Sequence, residues 1–216
     1  VDPVCVIIIP SGALVVAARA SRNFGRTEGD RALDDRTGQP SEAELCAGPM
    51  GDRWLAHYAR FEGMIAPAGA GLLSAAAFAP GEQVLDIGCG AGATSLQVAR
   101  LVAPGGSVTG LDISAALIAT CRERAREAGL ANIRFLVGDA ASADLGGALF
   151  DRVVSRFGVM FFDHPYEAFR HLHGFLRPGG RLDFVCWAAP EDNPWTAPIR
   201  ETAQRYAPAP PPPPRA

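Results

Sequence analysis

The stretch Val84-Leu-Asp-Ile-Gly-Cys-Gly-Ala-Gly-Ala-Thr-Ser95 decides the fold, because few architectures need an acid just before such a glycine cluster. Val84 to Ile87 is a short apolar run that reads as a buried strand. Gly88, Gly90 and Gly92 predict a tight turn with no side chain to obstruct a ligand, and a helix begins near Thr94. Such a turn lets backbone N–H groups and a helix N-terminus approach a bound nucleoside. Asp86, two residues ahead of the first glycine, would repel a pyrophosphate and attract a cation. The ligand so described carries an adenosine and a positive charge.

The glycine cluster alone leaves two readings open. Gly88-x-Gly90-x-x-Ala93 also satisfies the relaxed dinucleotide fingerprint, with Asp112 at a compatible distance, which would make the chain a nicotinamide enzyme. The other reading is S-adenosylmethionine, and further runs bear on the choice. Val108 to Leu111 is a second apolar run, and Asp112 at its end can accept hydrogen bonds from two ribose hydroxyls. Ile133 to Val137 is a third, closing in Gly138-Asp139-Ala140, which can set a carboxylate at an adenine amino group. Phe150 to Ser155 is a fourth and Arg181 to Trp187 a fifth.

Helices fall between these strands. Ser114 can cap one whose Leu117, Ile118, Cys121 and Ala125 share a face and which Gly129 ends. Asp163 can cap another, lined by Tyr166, Phe169, Leu172 and Leu176 and stopped by Pro178-Gly179-Gly180. Alternating strands and helices imply a Rossmann-like α/β fold, a parallel sheet with helices on both faces and right-handed crossovers. The ligand then lies at the carboxyl ends of the first two strands.

From about Cys46 to Trp195 the chain resembles the class I S-adenosylmethionine-dependent methyltransferases, most of all the bacterial ubiquinone/menaquinone-biosynthesis group. The resemblance rests on Val84–Gly92, Ser155-Arg-Phe-Gly-Val-Met-Phe-Phe-Asp-His-Pro165, Leu176-Arg-Pro-Gly-Gly180 and Gly48-Pro-Met-Gly-Asp-Arg-Trp54. It implies S-adenosylmethionine as cofactor and a small-molecule methyl acceptor. It also implies cofactor contacts at Asp86, Gly88, Cys89, Gly90, Gly92, Asp112, Ile113, Asp139, Ala140 and Ser155. Trp54, Tyr58, Phe61 and Ile65 recur at helical spacing, either as a packing stripe or, as the resemblance implies, as a lid helix with Trp54 or Tyr58 near the methionine carboxylate.

The 216 residues, 48% hydrophobic, suffice for one sizeable core. A net charge of −3 gives no electrostatic footprint for nucleic acid, and the arginines of 121–127 alternate with glutamates as on a solvated helix face. Five cysteines without C-x-x-C spacing fit a reduced, cytoplasmic protein. Val4 to Ala20 is apolar but broken by Pro10-Ser-Gly12 and too short to span a bilayer.

Three segments are therefore expected: an amino-terminal extension over 1–44, largely disordered; a methyltransferase domain over 45–195; and a proline-rich tail over 196–216, with polyproline II at Pro208–Pro214. The resemblance also implies a carboxyl-terminal helix and an antiparallel strand pair that this sequence lacks. Without them strand five, Arg181 to Trp187, would present an unpaired edge to self-association, with Asp183 either blunting that edge or buried in need of a partner. A truncated cofactor-binding module with little activity is the alternative function.

Methyl transfer from a sulfonium needs no obligatory catalytic side chain, because the cofactor carries its own leaving group. Where a hydroxyl acceptor needs a base, His57 and His164 are the candidates. His171 and His173 do not form a metal pair, since residues i and i+2 of a helix point apart. Cys89, inside the glycine turn beside Asp86, is expected to be no nucleophile.

Overall fold

The computed structural model describes residues 5–8, 13–19, 47–188, 193 and 196–206. Its centre is five parallel strands: β3 (Gln83–Ile87), β4 (Ser107–Asp112), β5 (Ile133–Val137), β6 (Phe150–Arg156) and β7 (Leu176–Trp187). Two further strands, β1 (Cys5–Ile8) and β2 (Ala13–Arg19), complete the order β1-β2-β7-β6-β3-β4-β5. The chain order turns back at β3, which has β4 on one side and β6 on the other, so the crevice for a ligand opens at their carboxyl ends.

Side chains alternate across the sheet with the two-residue period of a strand. Val84, Val108, Val154 and Val185 pack on one face against helix α2 (Tyr58–Ala76) and helix α3 (Ala93–Leu101). Leu85, Ile87, Leu111 and Val153 pack on the other, where Leu172 of helix α5 (Pro165–His173) meets them. Helix α4 (Ala115–Glu127) buries Ile118, Cys121 and Ala125 against Phe135 and Leu96, and Ser114 caps it as its sequence predicts, accepting from the Leu117 N–H. Each buried aliphatic side chain of this kind stabilises the fold by about 1.5–3 kcal/mol.

The edge of β7 is not open. β2 runs antiparallel along it from Ala13 opposite Trp187 to Arg19 opposite Arg181, and β1 pairs with β2 outside that. The unpaired strand-five edge expected from the sequence is therefore corrected: an amino-terminal hairpin covers it. Two stretches of the extension expected to be disordered, 5–8 and 13–19, are strands for the same reason, while 21–44 lie outside the described residues. Asp183 is the buried acid with partners. It is 1% exposed, and its two oxygens accept from Arg152 Nη1 at 2.8 Å and Arg181 Nη2 at 2.6 Å.

Three smaller expectations also shift. The segment 196–206, placed with the tail, is helix α6 (Thr196–Tyr206), and the polyproline stretch lies outside the described residues. α5 starts one residue later than expected, with His164 rather than Asp163 at its N-cap and Pro165 in the first turn. It ends at His173 because Leu176 already pairs with Phe150 as part of β7.

Candidate functional site

One cavity of about 260 Å³ sits at the carboxyl ends of β3, β4 and β5 and beneath two helices, α1 (Pro49–Ala56) and α2. The glycine turn forms its floor. Gly88, Gly90 and Gly92 all have positive φ, at 62°, 56° and 82°. A β-carbon on Gly90 would meet no atom within 4 Å and would project into the cavity, so this turn is bare where a ligand would lie. Gly92 serves differently. It is the N-cap of α3, and a β-carbon there would stand 3.1 Å from Cys121 Sγ.

Three aspartates line the cavity, one from the end of each successive strand. Asp86 is 1% exposed and accepts a hydrogen bond from Ser95 Oγ. Burial pushes its carboxyl up to about 7, against the lowering effect of Ser95 and of the Arg156 charge. Asp112 accepts from the Gly90 N–H at 2.8 Å on Oδ2 and from the Ser114 N–H at 2.9 Å on Oδ1. It thereby fastens the glycine turn to β4. Burial raises its pKa, opposed by the N–H groups of Ser114, Gly90 and Ile113. Asp139 is held by the Ala141 N–H at 2.9 Å. Each oxygen of Asp112 keeps a lone pair for a ligand hydroxyl, since a carboxylate offers about four acceptor sites.

The cover comes from the aromatic stripe. Trp54 lies on α1 and Tyr58, Phe61 and Ile65 on α2, because the chain breaks at His57 instead of continuing as one helix. The stripe packs and also faces the cavity. Trp54 and Phe61 rings pack at 4.5 Å, Ile65 joins the core, and all four residues line the cavity. Arg124 of α4 stacks over the Tyr58 ring at 4.6 Å, bonds its hydroxyl and donates to the Ala91 carbonyl, tying the cover to the glycine turn.

Of the ten residues expected at the cofactor, Asp86, Gly88, Cys89, Gly90, Asp112, Ile113, Asp139 and Ala140 line the cavity; Gly92 and Ser155 do not. Ser155 is 0% exposed and works behind the wall, donating from Oγ to the Ile87 carbonyl at 2.8 Å and accepting from the Gly158 N–H at 3.2 Å. His57 and His164 are outside the lining too, the first set edge-on to Phe61 and the second at the N-cap of α5. His171 Nε2 lies 2.9 Å from the Ala143 carbonyl, and no group of three metal-ligating side chains occurs among the described residues.

Other lining residues were not anticipated. Phe157 adopts φ 62°, a strained value for a bulky side chain, and is held there by stacking on Trp187 at 4.6 Å and by its N–H bond to the Val185 carbonyl. All three methionines of the chain, Met50, Met64 and Met160, face the cavity. Glu62 and Arg156 meet across it in a bidentate pair. The glycine after Phe157 was the available sign of a close approach; nothing in the sequence marked the positive φ or the ion pair.

Residues 84–180 match the methyltransferase domain family. The chain is 38% identical over 105 residues to the aklanonic acid methyltransferase DauC of a Streptomyces species, covering 49% of this chain and 48% of that protein. It is 32% identical over 115 residues to a demethylmenaquinone methyltransferase of Listeria welshimeri, covering 53% and 49%. A S-adenosylmethionine-dependent methyltransferase from Aquifex aeolicus shares the fold at a TM-score of 0.52 and 20% identity, over 61% of this chain and 75% of that one. Residues 84–180 are thus similar to a methyltransferase domain, and the sheet has the fold of a S-adenosylmethionine-dependent methyltransferase. The chain spans about half the length of the curated relatives it matches.

Proposed function

We propose that this chain is a methyltransferase that uses S-adenosylmethionine to methylate a small, flat, largely apolar acceptor. One observation carries the reading: one cavity is lined both by glycine backbone with three aspartates and by methionine and aromatic side chains. When bound, S-adenosylmethionine supplies an electrophilic methyl group together with its own leaving group.

The chain's own residues bind, orient and exclude water. Asp86 in its ionised form holds the ligand's ammonium group, Asp112 its ribose hydroxyls, and Asp139 with Ala140 its adenine edge. The bare turn at Gly88 and Gly90 admits the ligand against backbone, with Cys89 and Ile113 as flanking walls. Trp54, Phe61, Phe157 and Trp187 set the plane of the acceptor, and their apolar surface keeps water from the reacting atoms. Positioning of this kind can supply about 7–11 kcal/mol of the barrier reduction. Two relatives are named for an acid and a quinone, aklanonic acid and demethylmenaquinone, which agrees with a ring-shaped acceptor. No described helix is long and apolar enough to cross a membrane, and the free thiols of Cys89, Cys121 and Cys186 favour the cytoplasm as its place of work.

The test is methyl transfer from labelled S-adenosylmethionine to a panel of quinone, phenol and lipid acceptors. Label in a quinone or phenol is the expected result. Cofactor binding with no transfer to any acceptor would return the chain to a binding module.

A further inference from the structure

Arg156 is the one cation among the described residues that line the cavity. Its guanidinium forks onto Glu62 of α2, Nη1 to Oε1 and Nη2 to Oε2, each at 2.7 Å. Its stem crosses α2 at Gly69, where a β-carbon would stand 3.1 Å from Arg156 Cδ. Glu62 and Gly69 are seven residues apart on one helix, hence on one face, so α2 is shaped to receive this arginine. The two side chains are only 10% and 23% exposed, and the Arg156 charge acts on Asp86 and Tyr58 beside it.

A cation in such a wall must be paired, because leaving it alone would cost several kcal/mol. Glu62 provides the pairing when the cavity holds no acceptor. A molecule that brings its own anionic oxygen can take over the planar fork, which suits a carboxylate or two neighbouring oxygens. A neutral molecule cannot, and must leave Glu62 in place.

We propose that Arg156 selects the acceptor by receiving an acidic oxygen (an enolate, phenolate or carboxylate on a flat apolar ring) and that Glu62 is its resident stand-in. The inference rests on the methyl-transfer reading of the same cavity and names the class of acceptor. Arg156 here binds and orients; the oxygen it holds need not be the one methylated.

The experiment uses the full chain saturated with S-adenosylhomocysteine. The probes are lawsone, an acidic hydroxynaphthoquinone, and its methyl ether, the same ring without the acidic oxygen. Quenching of the tryptophan emission reads binding, since Trp54 and Trp187 both line the cavity. Wild type should bind lawsone about tenfold or more tighter than the ether, as expected for a hydrogen-bonded charge pair. Arg156→Gln should bring the two probes level, and Glu62→Gln, which frees the fork, should tighten lawsone alone. The double variant, with both charges gone, should bind both probes equally, and its folding guards against a fault peculiar to either single change. Equal binding by wild type, an acid preference kept by R156Q, or weaker lawsone binding by E62Q would each overturn the proposal. Failure of wild type to bind S-adenosylhomocysteine would instead sink the cofactor reading itself.

Discussion

A β-carbon on Gly88 would stand 2.8 Å from the Cα of Gly158, so the turn after β3 and the loop after β6 meet backbone to backbone. The contact joins the floor of the cavity to the wall that holds Phe157, and Ser155 secures it from behind through the Ile87 carbonyl. Gly158→Ala should break it. The new β-carbon would lie 2.5 Å from the Ile87 carbonyl oxygen and 2.8 Å from Ser155 Oγ. Overpacking of this kind costs about 1–3 kcal/mol, and the displaced Gly88 should weaken S-adenosylhomocysteine as well. Thermal unfolding and calorimetry on G158A check both effects; an unchanged midpoint would show that the loop can move aside.

Cofactor affinity should depend on pH through Asp86. Its carboxyl titrates near 3.8 ordinarily but at about 7 in the fold, because burial disfavours the charge. Between those values the folded chain binds the extra proton, so this group's contribution to stability is fully present below about pH 3.8 and is lost as the pH rises toward 7. Binding runs the other way. A ligand ammonium needs the ionised form, so affinity should rise by up to about tenfold per pH unit below the folded pKa and then level off, with a proton released on binding. Calorimetry in buffers of different ionisation enthalpy measures that proton. Asp86→Asn should flatten the profile, and a profile of unchanged shape in D86N would remove Asp86 from the ligand.

Cys89 should be unreactive. Its hydrogen bond with Cys121 and its burial hold the thiol well above the ordinary range, and the nearby Asp86 and Asp112 charges add to this. Cys89→Ala should leave cofactor affinity near wild type, and thiol reagents should label the native chain slowly at neutral pH. Rapid labelling that S-adenosylhomocysteine prevents would contradict this account.

The amino-terminal hairpin should matter for solubility. β2 pairs with β7 along seven residues, and removing residues 1–20 would uncover that edge. The shortened chain is expected to self-associate in light scattering and to unfold at a lower temperature. A monodisperse truncation with an unchanged midpoint would mean that the hairpin does not hold the edge in solution.

The parallel sheet and the glycine turn with its three aspartates were legible because they rest on local signals. Val84 to Gly92 writes strand, acid and turn into nine consecutive residues, and Asp112 and Asp139 each end an apolar run. What stayed hidden depends on residues far apart in the chain. Arg156 and Glu62 are 94 residues apart, and nothing local in either announces the other. The pairing of β2 with β7 spans more than 160 positions, and an apolar run broken by Pro10 and Gly12 carried no sign of its partner. Ser155 was expected at the cofactor from its place in a motif, yet the strand's two-residue alternation turns it inward to the Ile87 carbonyl. His57 and His164 fall outside the cavity lining, a placement that their positions at helix ends did not reveal.

The most direct test is calorimetric titration of the intact chain with S-adenosylhomocysteine and with NAD, repeated on Gly90→Val and Asp112→Ala. The account predicts one S-adenosylhomocysteine per chain and no NAD. It predicts binding abolished in a folded G90V, whose side chain would enter the cavity at φ 56°. In D112A it predicts a loss of about 1.5–3 kcal/mol, from the ribose contact and from the freed Gly90 and Ser114 N–H groups. Binding of NAD in place of S-adenosylhomocysteine, or wild-type affinity in both variants, would contradict it.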